Sequence, residues 1–272
     1  MIFLIKINIF FSLHIYIIIN NKLYKQHTKM AKYIKLFNNH NEYTAFTQTE
    51  EFVKPNVSYC ISENEVHYNS LPKTNGHAYV DLGLPSGTLW ATMNVGANSE
   101  TDKGLYFQWG DVQGYSQEQV GTDKTFDWTT YKYCNGAVNK QTKYCNKSSY
   151  GDGGYTDELT ELELSDDAAH VIWGGDWHMP TKQQVEELIT NTTVIENENG
   201  YTLTAQNGNS LYFPKNGYYT NTTLNTSANV FVWTNALANG FPPQATYFES
   251  FGSNFRAKDF MRNCGLIVRG VI

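Results

Sequence analysis

Carboxylates are concentrated between Asp157 and Asp167, where two of them could serve as the acid and the base of a glycoside hydrolase. The run falls on a predicted loop and helix start, so solvation and helix capping explain it more simply. His170 and His178 could bind a metal, but His178 fits a packing role at the corner formed by Trp177–Pro180. Motifs typical of serine hydrolases, zinc proteases, P-loop proteins and dinucleotide-binding proteins are missing from the sequence. We therefore predict no catalytic residues and no enzyme.

Calcium is the one cofactor that the sequence leaves open. Asp152-Gly153-Gly154 and Asp157 offer oxygen ligands to a hard cation, but their spacing is not that of an EF-hand loop. We predict no cofactor and no metal ligands, with a structural calcium ion as the alternative.

The cysteines are Cys60, Cys134, Cys145 and Cys264, and none belongs to a CxxC pair. Four cysteines in 272 residues do not make a disulfide scaffold. A Cys134–Cys145 bridge across a loop rich in Tyr and Lys is one alternative. Free thiols are the interpretation that we favour.

Composition and charge narrow the class of partner. Aromatic residues make up 15% of the chain and charged residues 17%, a mixture that favours a fold rich in strands and loops. The formal net charge is -6, and the sequence has no basic stripe interleaved with aromatics. We therefore predict no nucleic-acid partner.

The first 29 residues contain an apolar run that fits a membrane anchor poorly. Lys6 and Asn8 interrupt it, and it is shorter than the roughly 20 apolar residues that span a bilayer. No small-residue cleavage site follows it. Our preferred interpretation of residues 1–29 is translated upstream DNA before a start at Met30, and a real signal or anchor is the alternative.

Residues 30–72 are too few to bury a core alone, so we predict an attachment or oligomerisation segment. Apolar residues at mixed three- and four-residue spacings predict a short helix within residues 31–53. Two short strands are expected at Val57–Ile61 and Val66–Tyr68. With its KPNVSYC (residues 54–60) and EVHYN (residues 65–69), the segment resembles leaders of phage structural proteins from gut Bacteroidales.

Residues 73–272 form the main predicted domain. Ser165 is expected to cap one helix, and the Thr181-x-x-Gln184 capping box to begin a second. Asn207-Gly208 between alternating segments predicts a hairpin over residues 201–213. Further strands are expected within His77–Ala91, Gly104–Gly110, Val230–Trp233, Ala245–Phe248 and Gly265–Val271. A long stretch from Val112 to Tyr155 has little periodicity, and such loops are usually functional or flexible.

Several motifs of this domain occur in the order of a known family. They are DLGLPSGTLWAT, GLYFQWGD, DDAAHVIWGGDWHMPT, NGNSLYFPKNGYY, VWTNA and the terminal GLIVRGVI. Over about residues 77–272 the chain resembles the Fibrobacter succinogenes major paralogous domain, which is related to formylglycine-generating enzymes and the C-type-lectin fold. The resemblance implies an α+β, C-type-lectin-like mixed fold with small antiparallel sheets, two helices and long loops around a binding face. His178 stands where the family usually has Arg, and Gly270 where Pro is common.

The resemblance does not extend to the chemistry of its best-known relatives. Formylglycine-generating enzymes use paired cysteines near the end of the domain, where this chain has Cys264 alone. Calcium-dependent lectins use Glu-Pro-Asn or Gln-Pro-Asp loops and a Trp-Asn-Asp strand. The segments Phe241–Gln244 and Trp233–Asn235 match neither pattern.

The resemblance places a ligand-facing surface just before the last strand, within about residues 218–263. Aromatic and Arg side chains give large contact areas there, and amides adapt their hydrogen bonds. We expect Trp233, Tyr247 and Phe248 to be core residues. The predicted ligand-binding residues are Asn235, Asn239, Phe241, Gln244, Arg256 and Asp259.

A recognition module without an export signal after Met30 fits a virion component. We predict a phage or prophage adhesin that contacts a host cell-surface glycan or protein, assembled into the virion through residues 30–72; a homo-oligomer is one form the assembly could take. The alternatives are an exported bacterial cell-surface binding protein and an oxidase or hydrolase of the same fold.

Overall fold

The computed structural model describes residues 71–225, 229–252 and 254–272 in full, and the backbone of four strands before residue 71. Contacts divide the chain into two compact units, Met1–Ser70 and Leu71–Ile272. In the first unit, β1 (Ile15–Ile19) pairs with β2 (Lys22–Gln26) in antiparallel orientation.

The prediction of a helix within residues 31–53 is wrong for its first part. β3 (Tyr33–Phe37) is a strand that pairs in parallel with β4 (Val57–Ile61). The sequence Tyr-Ile-Lys-Leu-Phe is rich in β-branched and aromatic residues, whose preference for strands outweighs the irregular helical spacing. The strand predicted at Val57–Ile61 is confirmed. Residues 38–53 and the strand predicted at Val66–Tyr68 lie outside the described residues.

Two α-helices belong to the second unit. In α1 (Ala168–Trp173), the cap is Asp167, whose carboxylate accepts from the backbone N–H of His170 at 3.0 Å. Ser165 does not cap α1 as predicted, because it lies within the preceding 3-10 turn, Leu164–Asp166. For α2 (Lys182–Asn191), the predicted capping box of Thr181 and Gln184 is confirmed, with backbone-to-side-chain bonds of 2.9 and 3.2 Å.

Small sheets that are mostly antiparallel make up the rest of this unit, so the α+β class is confirmed. Its strands are β5 Lys73–Thr74, β6 His77–Asp81, β7 Leu89–Asn94, β8 Tyr106–Phe107, β9 Thr192–Glu196, β10 Gly200–Ala205, β11 Ser210–Pro214, β12 Tyr218–Thr220, β13 Thr223–Asn225, β14 Phe231–Leu237, β15 Gln244–Phe251, β16 Asn254–Met261, β17 Leu266–Ile267 and β18 Arg269–Val271. A five-stranded sheet has the order β16-β15-β14-β17-β8, and a four-stranded sheet the order β18-β7-β6-β5. Three strands pair as β11-β10-β9, and β12 and β13 form a hairpin.

The five-stranded sheet contributes to two hydrophobic clusters through alternate residues of its strands. Trp233 and Tyr247 belong to one cluster, and Val232 and Phe248 to the other. The predicted core residues Trp233, Tyr247 and Phe248 are all buried. The indole Nε1 of Trp233 donates to the carbonyl of Phe107 at 2.9 Å, which links β14 to β8 inside the core.

Candidate functional site

The six predicted ligand residues lie on the β14–β15–β16 part of the five-stranded sheet. Asn235 is on β14, Asn239 and Phe241 are in the following turn, and Gln244 begins β15. Arg256 and Asp259 are on β16, opposite Glu249 and Thr246 of β15. Asn239 and Asp259 are exposed, whereas the other four are partly buried.

The structure groups some of these residues and separates Arg256 from them. Arg256 pairs with a residue five positions along β15 from Gln244, a separation of about 17 Å at the usual rise per residue. Because side chains alternate across a strand, Arg256 and Asp259 also point to opposite faces of the sheet. Asp259 lies on the same face as Gln244, near the turn. Asn239 and Phe241 belong to the turn that precedes Gln244, and Asn235 lies before that turn on β14.

Backbone hydrogen bonds fix the segment between β14 and β15, residues 238–243, which we call the binding turn. The N–H of Gln244 donates to the carbonyl of Phe241 at 2.9 Å, and the N–H of Ala238 donates to the carbonyl of Gln244 at 3.0 Å. Gly240 has a positive φ of 71°, which a side chain would disfavour. The turn therefore presents Asn239 and Phe241 from a defined backbone.

The long loop, residues 112–155, contacts the binding turn through two residues that were not among those predicted. The Tyr150 ring meets the Phe241 ring edge-on, with centroids 5.0 Å apart. The Lys147 ammonium donates to the carbonyl of Gly240 at 2.6 Å. The sequence shows that this loop is rich in Tyr and Lys, which indicates a functional loop. It does not show which part of the sheet the loop contacts.

Asp157 holds the part of the long loop that reaches the turn. Its carboxylate accepts from the backbone N–H groups of Tyr144, Cys145 and Leu159, at 2.6, 2.9 and 3.2 Å. Asp152, the other carboxylate of the predicted calcium alternative, accepts from the Asn135 amide at 2.5 Å. These carboxylates therefore serve the loop backbone and a neighbouring side chain.

A buried arginine anchors the same loop from the sheet side. Arg262 directly follows β16 and is fully buried. Its guanidinium donates to the Gln141 side-chain oxygen and to the carbonyl of Tyr144, the latter at 3.1 Å. The end of β16 and the long loop are thus joined by a charge-assisted bond inside the protein.

Arg256 has an internal partner. Its Nε and Nη2 lie 2.7 and 2.6 Å from Oε1 of the buried Glu249. The other carboxylate oxygen of Glu249, Oε2, accepts from the Tyr247 hydroxyl at 2.8 Å. The guanidinium carbon lies 3.5 Å from the centre of the exposed Phe251 ring. Arg256 therefore neutralises a buried carboxylate besides any contact with a ligand.

The residues considered for catalysis or metal binding have structural partners. A ring nitrogen of His178 lies 2.9 Å from the carbonyl of Met179, and one of His170 lies 3.1 Å from that of Trp177. Cys134, Cys145 and Cys264 are free thiols, as favoured from the sequence. Burial raises the pKa of Cys264 to about 12. Within the described ranges, no group of three or more His, Cys, Asp or Glu side chains is placed to hold a metal.

A cleft of about 260 Å³ lies away from the binding turn. It is lined mainly by apolar side chains of β6, β7 and α1, including His77, Ala91, Met93, Ile172 and Trp173. The His77 ring stacks on Trp173 with centroids 4.3 Å apart, and burial lowers the pKa of His77. Of the two asparagines that line it, Asn94 accepts from Nε of Arg269 at 2.7 Å and donates to the carbonyl of Lys103 at 3.1 Å. The cleft shares no residue with the predicted ligand set.

In the part of the chain that the structure describes, no helix combines the length and the apolar character needed to cross a membrane. No protein-family model, curated protein or solved structure matches this chain.

Proposed function

We propose that this chain is a non-enzymatic ligand-recognition protein whose main domain, residues 73–272, has a C-type-lectin-like fold. The small sheets, the two helices and the long irregular stretch between β8 and α1 support this fold. Its ligand would bind at the binding turn and the adjoining part of the long loop.

One observation carries the proposal: the long loop holds a partly exposed aromatic ring in place in a turn that also carries an exposed amide. Tyr150 and Lys147 fix the turn at Phe241 and Gly240, and Asn239 is exposed beside them. An aromatic anchor that is rigid before binding loses little conformational entropy in a complex, and nearby amides adapt their hydrogen bonds. Recognition surfaces combine these two kinds of residue.

The buried state of Cys264 supports recognition over thiol chemistry. The thiolate is the reactive form of cysteine, and a pKa of about 12 leaves almost none of it at neutral pH. Cys264 is also only 3% exposed, so a substrate would have no access to it.

The partner that we propose is a glycan or protein of a host cell surface, and the location a phage or prophage virion joined through residues 30–72. Mass spectrometry of purified phage particles tests the location. Peptides of this chain in the particles would support it, whereas peptides only in a bacterial envelope fraction would favour an exported surface protein.

Binding of the labelled full-length chain to a panel of Bacteroidales strains, measured by flow cytometry, tests the function. Asn239→Ala combined with Phe241→Ala should reduce binding at least tenfold. Asn254→Ala is the matched control, because Asn254 is exposed at the start of β16, where it pairs with Phe251 at the far end of β15. Equal binding by the wild type and the double variant would contradict the proposed face.

A further inference from the structure

We infer that the outer edge of β16 binds an extended segment of another protein, which adds an antiparallel strand to the five-stranded sheet. The segment carries an acidic residue opposite Lys258 and a basic residue opposite Asp259. This inference goes beyond the proposed function, because the partner is held by backbone groups of β16, outside the binding turn. Strand addition of this kind uses main-chain hydrogen bonds for affinity and side chains for selectivity.

β16 is a long and regular edge strand. It stands last in the order of its sheet, so none of the strands that the structure describes pairs with its outer side. Its eight residues pair with β15 one to one, without a bulge. Proteins usually protect an edge with a short strand, a bulge or a proline, and β16 has none of these. By contrast β8, at the opposite edge of the sheet, has only two residues.

The hydrogen-bond pattern identifies which backbone groups of β16 point outward. Continuing the register of β15 and β16, the N–H of Arg262 donates to the carbonyl of Pro243 directly opposite it, at 3.0 Å. Hydrogen-bonded and non-hydrogen-bonded pairs alternate along an antiparallel ladder, so every second residue back from Arg262 bonds to β15. The residues between them, Phe255, Ala257 and Asp259, direct their N–H and C=O groups outward. Among the described residues, these backbone groups have no hydrogen-bond partner.

The charges of β16 disfavour pairing with a second copy of this chain. A two-fold pair of β16 strands is centred on one residue, because facing side chains must lie on the same side of the sheet. Centres at residues 256, 257, 258 and 259 pair at least five residues of each strand. In that order they place Arg256 opposite Arg256, Arg256 opposite Lys258, Lys258 opposite Lys258, and Asp259 opposite Asp259. Like charges directly opposite each other destabilise a strand pair, so the edge suits a different chain.

The face of β16 that carries Lys258 favours an acidic partner residue. Lys258 is exposed and forms no ion pair with a described residue. The neighbouring cation on this face, Arg256, already pairs with the buried Glu249. A carboxylate directly opposite Lys258 would therefore give this ammonium group a partner. Phe260, which is partly exposed on the same face, favours an apolar residue opposite it.

The other face of β16 favours a basic partner residue. Asp259 is exposed, and its carboxylate accepts from the Thr246 hydroxyl at 2.9 Å without forming an ion pair with a described residue. Ala257 on this face is small, so a β-branched apolar residue fits opposite it. An antiparallel segment therefore reads apolar, basic, acidic, apolar, in the order in which it passes Phe260, Asp259, Lys258 and Ala257. Antiparallel pairing is the slightly more stable orientation per residue.

The test uses the isotope-labelled full-length chain and two synthetic peptides as long as β16, followed by NMR. The matched peptide has Glu opposite Lys258 and Lys opposite Asp259, with Val and Thr elsewhere. The swapped peptide has the two charged residues exchanged. The matched peptide should bind more tightly and should slow hydrogen exchange at the outward N–H groups of Ala257 and Asp259. The N–H groups of Arg256 and Lys258 already bond to β15, so their exchange should change little.

Two variants separate the backbone from the charge. Ala257→Pro removes an outward N–H and leaves the bonds to β15 in place, since proline is tolerated on the solvent side of an edge strand, and it should abolish binding. Lys258→Glu should weaken binding of the matched peptide about three- to tenfold and strengthen binding of the swapped peptide. Lys73→Glu makes the same charge change at an exposed residue of β5, in another sheet, and should leave both affinities unchanged. Lys258→Glu alters only an exposed side chain, so it remains informative if Ala257→Pro folds poorly.

Three results would overturn this inference. The first is that the matched peptide does not bind at millimolar concentration, and the second is that the two peptides bind equally. The third is binding that leaves exchange at Ala257 and Asp259 unchanged, because the peptide would then occupy another surface. Sedimentation tests the excluded occupant: a chain that self-associates and becomes monomeric with Ala257→Pro would show that a second copy fills the edge.

Discussion

The rings of Tyr150 and Phe241 lie edge to face with their centroids 5.0 Å apart, although 91 positions separate them in the chain. Tyr150 belongs to the long loop, and Phe241 to the binding turn between two strands of the five-stranded sheet. The contact makes the loop part of the surface proposed to bind the ligand, so a change in the loop should alter binding at the turn.

Tyr150→Ala is therefore expected to weaken ligand binding two- to tenfold, because an aromatic pair contributes about 0.5–1.5 kcal/mol. Tyr150→Phe keeps the ring and is the matched control. Binding is measured by titration with the cell-surface ligand, and hydrogen exchange over residues 145–150 reports whether the loop has loosened. Wild-type affinity and wild-type exchange in Tyr150→Ala would show that the contact does not support the turn.

Arg256 was predicted as a ligand residue, but it also pairs with Glu249 inside the protein. A loss of ligand binding in an Arg256 variant must therefore be distinguished from a loss of stability. We expect Arg256→Ala to lower the free energy of unfolding by about 1–3 kcal/mol, since it leaves a buried carboxylate held by Tyr247 alone. Lys258→Ala, an exposed neighbour on β16, is the control and should change stability little. Urea unfolding measures both. A stable Arg256→Ala variant that binds poorly would instead support a direct ligand contact.

Local signals in the sequence predicted much of the second unit. The Thr181 capping box, the Asn207-Gly208 hairpin and the buried aromatic residues of β14 and β15 depend on neighbours in the chain or on hydrophobic pattern. The long loop has neither periodicity nor turn chemistry that fixes its path. Its contacts with Gly240 and Phe241 span about 90 positions, so only the folded chain reveals them.

The prediction of the site had the same limit, because contacts between distant positions decide which residues lie close together. The resemblance placed Arg256 and Phe241 in one ligand-facing segment, but strand pairing carries Arg256 to the other end of β15. The capping of α1 shows a similar limit: Ser165 and Asp167 are both good caps, and the 3-10 turn over Leu164–Asp166 decides for Asp167. Register and local geometry, which the sequence pattern does not specify, determined both outcomes.

Asp166 should make stability depend on pH in the acidic range. Burial alone would raise the pKa of this carboxyl, but bonds from Lys143 at 2.6 Å, Tyr144 at 2.7 Å and Lys132 at 3.2 Å lower the pKa to about 2. Because the folded-state pKa is below the unfolded value near 4, the contribution is present above pH 4 and is lost as the pH falls toward 2. It amounts to about 2 kcal/mol.

Urea unfolding of the wild type and of Asp166→Asn between pH 2 and pH 7 tests this dependence. The variant should be less stable by about 2 kcal/mol near pH 6, and the difference should shrink below pH 4. Asp176→Asn, at an exposed position, controls for the loss of a carboxyl group. A stability difference that stays constant over the whole pH range would show that the ionised form of Asp166 is not what stabilises the fold.

Cys264 offers the sharpest test of the non-enzymatic assignment, because an oxidase based on this residue would need a reactive thiolate. Burial raises its pKa to about 12 and leaves the side chain 3% exposed. Alkylation by iodoacetamide at pH 8 should therefore be at least about a hundredfold slower in the native chain than in urea, since the thiolate is the reactive form. Peptide mass spectrometry follows each cysteine separately, with the partly exposed Cys134 as the internal comparison.

Rapid labelling of native Cys264 would contradict the buried position of this side chain and would support an enzyme that uses its thiol. Slow labelling, with ligand binding retained in Cys264→Ala, would exclude an oxidase based on this thiol.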